Sequence, residues 1–347
     1  MLKSSKTNIP QALRLGIFDS LIMRKESLEK IGIEIGHFTD KENLTGTTVF
    51  LAKKGADIGI DIRGSSTGSM NTPAYSEVKS SRKLVHGIVL TGGSSYGMET
   101  VFGVMQYLEE QGIGTKTREG VIPGITGAVI YDLGVGNPIS PRKEEGYFAA
   151  KNASSEELRE GNIGVGTGAT TGKWISGEHL KGGFGMAEVT LPQDMLVCAF
   201  VVTNSVGDIV NPQTGKFYAD HGEYDLSQKN LPENITNFIK RNPSTSHNTT
   251  LAVIAANIVL EREQLLKVAE LAHDGMARSI FPTHSMSDGD IVFAISSHSG
   301  ERKKIPSLPV TVLTDVIGLG AADALMKAVK NSILNAESTE GFPAYKP

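Results

Sequence analysis

The sequence predicts a mixed α/β fold of stacked sheet and helix layers, and three observations predict it. Short apolar segments bounded by turn residues recur along the 347 residues, as buried strands do. Longer stretches with apolar residues at helical spacing separate some of them. Glycine is abundant, at 39 residues. It is spread singly or in short clusters between apolar runs, where strands end in tight turns or backbone approaches backbone or ligand.

Taken in order, residues 58–62 and 85–90 read as strands. Residues 98–111 read as a helix, with Val101, Phe102, Met105 and Leu108 on one stripe and Gly112 as the stop. A strand at 128–133 precedes a long polar stretch, 134–161, and a strand at 196–203 precedes a second one, 204–246. The second is dense in Asn, Ser, Thr, Pro and charge and reads as exposed, mobile chain. It passes within a residue into the strand pattern 251–256. Helix 261–279, with Leu265, Val268, Ala269 and Ala272 inward, separates that strand from the next, 291–296. A last helix spans 321–335, with Leu325, Ala328, Val329 and Ile333 inward. Alternating strands and helices of this kind stack as sheet and helix layers.

Composition bounds the function. Hydrophobic residues make up 39% and charged residues 21%, which suits a large buried core and not a disordered chain. Lys plus Arg is 34 and Asp plus Glu is 38, a net charge of −4; the sign is wrong for a general nucleic-acid or anionic-membrane binder, so neither partner is expected. The single cysteine, Cys198, rules out an intramolecular disulfide and a cysteine metal site and points to a reducing compartment, the cytoplasm. Near the start, Pro10, Arg14 and Asp19 interrupt the apolar residues, so no signal-peptide core is evident. The longest apolar run, 195–202, is too short to span a bilayer. The length fits one large domain or two ordinary ones.

Most motifs fall short of a named chemistry. The run 164–173 ends in Gly172-Lys173 but has Thr167 where a phosphate loop needs glycine and Trp174 where it needs Ser or Thr. Gly164, Gly166 and Ala169 fit a dinucleotide turn, yet no strand precedes them. What stays open is a glycine-rich turn that delivers Lys173 into a site, against a plain surface lysine. Leu90-Thr-Gly-Gly-Ser-Ser-Tyr-Gly97 carries Tyr96 where a nucleophile elbow needs glycine, so Ser94 or Ser95 is expected as a helix N-cap. The eight histidines show no metal-ligand spacing, and neither metal nor cofactor is expected. Ser287-Asp-Gly-Asp290 is either a turn before a strand or two carboxylates set at a strand entrance to orient a nucleophile.

Asn248-Thr249-Thr250 admits a sharper reading. A threonine hydroxyl is a poor nucleophile without a base beside it, and one solution makes the threonine N-terminal so that its own amine is the base. Such an amine titrates near ~7.7–8.0. It must first be released by cutting the chain at an accessible loop before a rigid strand, which is the order found here. The plain alternative is an Asn-Thr turn into a strand.

The ordered set of motifs resembles the P1 family of N-terminal-nucleophile-type hydrolases. That family includes the 6-aminohexanoate-oligomer (nylon-oligomer) endohydrolases and, more distantly, D-aminopeptidases and β-peptidyl aminopeptidases. The resemblance is carried by Gly36-His-Phe-Thr-Asp40, Thr45-Gly-Thr-Thr48, Asp61-Ile-Arg-Gly64, Leu90-Thr-Gly-Gly-Ser94, Gly164-Val-Gly-Thr-Gly-Ala169 with Gly172-Lys173, Asn204-Ser-Val-Gly207, Asn248-Thr249-Thr250 and Asp288-Gly-Asp290. It implies a four-layer αββα sandwich, a single domain over 1–347 that cuts itself into 1–248 and 249–347. It further implies Thr249 as nucleophile, Lys173 and Asn204 beside it, Asp288 and Asp290 as the supporting acidic pair, and Tyr131 as the site tyrosine. Asn204 and Tyr131 would then donate to the oxyanion. The aminopeptidase branch has serine after glycine at the cut and a Ser/Glu pair in place of Asp288 and Asp290, which puts this chain nearer the nylon-hydrolase branch. The implied substrates are small peptides or amide oligomers, and the implied assembly is a homo-oligomer of processed heterodimers, with loops 65–75 and 139–151 shaping substrate choice. Two other readings are an acyltransferase of the ornithine acetyltransferase type and a small-ligand-binding protein that keeps the fold without the cut.

Overall fold

The structure is a computed structural model that describes residues 23–77, 84–174, 179–212, 214–220 and 248–345. The beginning of the chain and most of the polar approach to Asn248, whose readings concerned residues 1–22 and 221–247, lie outside the described residues.

Helix α1 (Lys25–Ile31) leads through Gly32 into β1 (Glu34–Asp40), which turns back on β2 (Thr45–Ile62). There follow β3 (Ser69–Met70), a short helix α2 (Thr72–Ser76), β4 (Val85–Thr91), α3 (Thr100–Glu110), β5 (Ile125–Val129) and α4 (Lys143–Lys151). The second half holds β6 (Phe184–Leu191), β7 (Met195–Asn204), β8 (Thr249–Ala256), α5 (Arg262–Ser279), β9 (Ile291–Ser297) and α6 (Val310–Leu334).

The hydrogen-bonded order is β6-β7-β8-β9-β2-β4-β5-β3, with β1 also on β2. Strand β2 makes two layers of this ladder. Its first part pairs with β1 and β4, and its second part, from Ala56, pairs with β9. The register shifts between Leu51 and Ala56, where Gly55 adopts φ 84°, a left-handed conformation that glycine adopts without a Cβ clash.

Alternation of side chains then sorts the core. Phe50, Ile88 and Leu90 of one sheet face Phe200, Leu251, Val253 and Phe293 of the other, and the rings of Phe50 and Phe200 lie 5.2 Å apart. The outward residues Val49, Leu51 and Val89 cover Val101, Val104 and Leu108 of α3 and Ala149 of α4. On the far side Val201, Ala252, Ile254, Val292 and Ala294 pack on Leu265, Val268 and Ala269 of α5 and Leu325, Ala328 and Val329 of α6. The fold is thus the four-layer αββα sandwich, each sheet hydrophobic on both faces as a strand buried twice must be.

Several local expectations are corrected. Residues 58–62 are the end of a strand of 18 residues, and the strand expected at 128–133 is Ile125–Val129, so Tyr131 follows it. Sequence patterning gave no sign of β1 or β6. Phe102 is 48% exposed because α3 packs on α4 through Gly103, where a Cβ would lie 1.8 Å from the Lys143 carbonyl; the sheet side of α3 is Val101, Val104 and Leu108. Neither Ser94 nor Ser95 caps α3, since Gly93 precedes the 3₁₀ turn and Asp132 accepts its N–H at 2.6 Å. The polar stretch 134–161 contains α4. Helix α6 begins at Val310 rather than near 321; its first turns bury Leu313 and Ile317, but Val310, Val312 and Leu319 are apolar and exposed and blur the stripe.

Candidate active site

Strand register assembles the site. In the antiparallel β7–β8 pair, Asn204 stands opposite Thr249, and Asn248 forms an isolated parallel bridge with Asp288. The Thr249 Oγ1 donates to the Asn248 carbonyl oxygen at 2.5 Å, and the Gly289 N–H donates to the same oxygen at 2.7 Å. The Asn248 N–H in turn donates to the Ser287 carbonyl at 2.9 Å. A side chain at Gly289 would have its Cβ 2.7 Å from Thr249 Oγ1 and 2.8 Å from the Ser66 carbonyl oxygen. The 288–290 segment is held from the other side by the end of β2: Gly64 N–H donates to Asp290 O at 3.2 Å and Ser66 N–H to Asp288 O at 2.9 Å. Thr249 and Asn248 are both buried.

Lys173 arrives on the glycine-rich turn. Its backbone N–H donates to the Val206 carbonyl at 2.9 Å, while its Nζ donates to Asn248 Oδ1 at 2.5 Å and to Asn204 Oδ1 at 3.3 Å. Burial lowers its pKa to about 7, and the opposing charge of Asp288 only partly offsets that. Asn204 Oδ1 also accepts the Thr170 N–H at 3.1 Å, and its Nδ2 donates to the Tyr131 carbonyl at 3.2 Å. Tyr131 therefore meets Asn204 through its main-chain carbonyl, and the carbonyl at the 248–249 bond accepts from Gly289 and Thr249.

The two acids do different work. Asp288 Oδ1 accepts the Val206 N–H at 3.1 Å, and its Oδ2 accepts the Ser285 N–H at 3.1 Å and hydroxyl at 2.7 Å. Burial, with the nearby charge of Asp290, raises its pKa. Asp290 Oδ1 accepts the Thr250 N–H at 2.8 Å, so it pins the strand that carries Thr249. Its Oδ2 accepts from Thr283 Oγ1, the His284 N–H and His284 Nδ1, the last at 2.8 Å. His284 holds φ 58°, a left-handed conformation that non-glycine residues visit rarely and Asn, Asp and His most often, and its ring meets His273 edge-on at 4.8 Å.

Behind the turn sits a fully buried lysine. Lys181 Nζ donates to the carbonyls of Gly166, Ala169 and Gly182 at 2.9, 2.9 and 2.7 Å. Asp132 accepts from Thr45 Oγ1 at 2.7 Å and Gly93 N–H at 2.6 Å. Burial drives both toward neutrality, Lys181 down to about 7 and Asp132 up to about 6, each attracted by the other's charge.

Thr249, Asn248, Lys173, Asn204, Asp288 and Asp290 therefore meet in one place, with Tyr131 at its margin. Sequence reasoning missed Gly289 as a donor, His284 and Ser285 as partners of the acids, and the Lys181–Asp132 support. Gly289 was in view inside Asp-Gly-Asp; a lone histidine and a lone lysine carry no spacing signal. Among the described residues no group of three or more His, Cys, Asp and Glu is placed to hold a metal ion, and no helix is long and apolar enough to cross a membrane.

The chain is similar to known proteins along most of its length. The sequence model of peptidase family S58 matches residues 31–346. An uncharacterized aminopeptidase of Mycobacterium leprae (strain TN) is 35% identical over 337 residues, covering 90% of this chain and 91% of the relative. A 6-aminohexanoate-oligomer endohydrolase of Kocuria sp. (strain KY2) is 27% identical over 334 residues, covering 90% of each. Among solved structures, the L-aminopeptidase D-Ala-esterase/amidase of Ochrobactrum anthropi, described as a variant of the Ntn-hydrolase fold, superposes with TM-score 0.64 at 20% identity over 96% of this chain and 93% of that one. A β-aminopeptidase of Burkholderia sp. gives TM-score 0.61 at 19% identity over 95% and 93%. At such identities the two structures bear on the fold alone.

Proposed function

The chain belongs to peptidase family S58, and from that premise we propose that this hydrolase of peptide and amide bonds cuts itself between Asn248 and Thr249 and then uses Thr249 as an N-terminal nucleophile. One observation carries the reading: the Thr249 hydroxyl and the Gly289 N–H converge on the Asn248 carbonyl oxygen at 2.5 and 2.7 Å.

In the uncut chain the Thr249 nitrogen is an amide and cannot serve as a base. Lys173, brought to about 7 by burial, is partly unprotonated at neutral pH and takes the hydroxyl proton. The Thr249 Oγ1 attacks the Asn248 carbonyl carbon, and the Gly289 N–H stabilises the oxyanion, a contribution of about 3–4 kcal/mol where a single donor has been removed elsewhere. The C–N bond breaks as the nitrogen regains a proton, leaving Asn248 as an ester on Thr249. Water hydrolyses that ester, giving a carboxylate on Asn248 and a free amine on Thr249.

That amine then takes the hydroxyl proton when a substrate amide is attacked and returns it to the leaving amine, and water resolves the acyl-enzyme. Asp290 supports the chemistry by fixing Thr250, and Asp288 by standing near Lys173. Small peptides or amide oligomers are the proposed substrates, in keeping with the aminopeptidase and endohydrolase relatives, and a homo-oligomer of processed heterodimers is the proposed assembly.

Denaturing electrophoresis with N-terminal sequencing tests the reading. Purified protein gives two bands, the smaller beginning Thr249-Thr250-Leu251, while Thr249→Ala stays whole and inactive. A chain that stays intact and hydrolyses amides at full rate removes Thr249 from the mechanism.

A further inference from the structure

The ester formed during self-cleavage is itself an acyl-enzyme, with Asn248 as its acyl group. The pocket around Asn248 in the uncut chain is therefore the acyl subsite with its first occupant in place. This step rests on the proposed Thr249 mechanism.

Three contacts define that occupant. Its carbonyl oxygen accepts the Gly289 N–H at 2.7 Å, its α-nitrogen donates to the Ser287 carbonyl at 2.9 Å, and its side-chain Oδ1 accepts Lys173 Nζ at 2.5 Å. The residue is 2% exposed, so each contact is made away from water. We infer that the enzyme's acyl subsite is built for an L-asparaginyl group, read at its carbonyl, its α-nitrogen and its β-carboxamide. The three contacts leave one Cα in three directions, which fixes the hand: the D-form would lose either the Ser287 or the Lys173 contact. A leucyl group has nearly the same shape but offers Lys173 no acceptor, leaving a desolvated donor without that partner. The Ser287 carbonyl accepts equally from an amide N–H or an unblocked ammonium, so a single unblocked amino acid suffices.

The test uses the processed wild-type enzyme and the 4-nitroanilides of L-Asn, L-Leu, L-Ala and D-Asn. The expected kcat/KM for L-Asn exceeds that for L-Leu and D-Asn by about tenfold or more, the penalty of leaving a desolvated polar group without its partner. In cis, Asn248→Leu slows self-cleavage by a similar factor. If L-Leu or L-Ala is hydrolysed as fast as L-Asn, the asparaginyl assignment is overturned and the Thr249 mechanism stands; processed enzyme that leaves L-Asn 4-nitroanilide untouched overturns it likewise. If the wild-type chain is never cut, the mechanism fails and the assignment with it.

Discussion

Gly289 donates its N–H to the Asn248 carbonyl oxygen at 2.7 Å and leaves empty the volume where any Cβ would meet Thr249 Oγ1. The same residue supplies a donor and the room for the nucleophile. Gly289→Ala pushes these apart, because the other wall is the Ser66 main chain and cannot swing away as a side chain would. Self-cleavage should slow by roughly 10²–10³-fold, the loss seen when a single oxyanion donor is removed. A gel time course on the refolded precursor measures it, with an unchanged circular dichroism spectrum showing that the chain still folds.

Processing should also follow the proton on Lys173. Burial places its pKa at about 7, and the unprotonated form is the base while Thr249 is still an amide. The rate should therefore rise about tenfold per pH unit below that value and level off above it. Rates of freshly refolded precursor between pH 5 and 9 show the limb, and a flat profile would take Lys173 out of the proton transfer. Lys173→Met should remain uncut.

His284 allows a test by shape. Its Nδ1 donates to Asp290 Oδ2 at 2.8 Å from a residue with φ 58°. Asparagine adopts that backbone conformation readily and can present Nδ2 in the place of Nδ1, whereas leucine, though Leu44 holds φ 55° in this chain, has no donor to offer. Asn should therefore keep most of the processing rate and Leu should lose about tenfold or more, read from the same gel assay. Equal rates for the two variants would leave the His284–Asp290 bond without a role.

Lys181 should give the fold a pH signature. Its folded pKa of about 7 lies below the ordinary lysine value of 10.5, so between those values the unfolded chain binds a proton that the folded chain has released. Stability therefore rises with pH across that window. Lys173 contributes with the same sign. Urea midpoints at pH 7.5 and 9, measured on the uncut Thr249→Ala chain so that one polypeptide unfolds, should increase. Lys181→Met should reduce the increase and cost about 1–3 kcal/mol, since it leaves three buried carbonyls without their donor.

The sequence made much of this visible, and the misses have physical causes. Leu251 to Ala256 and Ile291 to Ile295 were plain as strands because both of their faces are buried, leaving an unbroken apolar run. β1 was hidden because Gly36 and His37 interrupt it, Gly36 lying where a Cβ would strike the Ala149 carbonyl. The site residues were legible as short motifs whose joint meaning came from family resemblance. No local pattern brings Lys173, Asn204 and Asn248 together; a cross-strand register and a turn do so. Lys181 looked like any other lysine, because two of the three carbonyls that hold it, those of Gly166 and Ala169, come from a turn more than ten residues earlier.

The strand order carries one more consequence. Strands β8 and β9 follow the 248–249 bond, yet they lie between β7 and β2, which precede it. A cut at that bond therefore leaves two polypeptides woven through one ladder, paired on both flanks, and neither can leave without tearing a sheet. Once melted, however, the halves must find each other by diffusion, so reassembly becomes second order in concentration where the uncut chain refolds in first order. The cut protein should show hysteresis on dilution from denaturant, and its lifetime will be governed by the height of the unfolding barrier more than by an equilibrium.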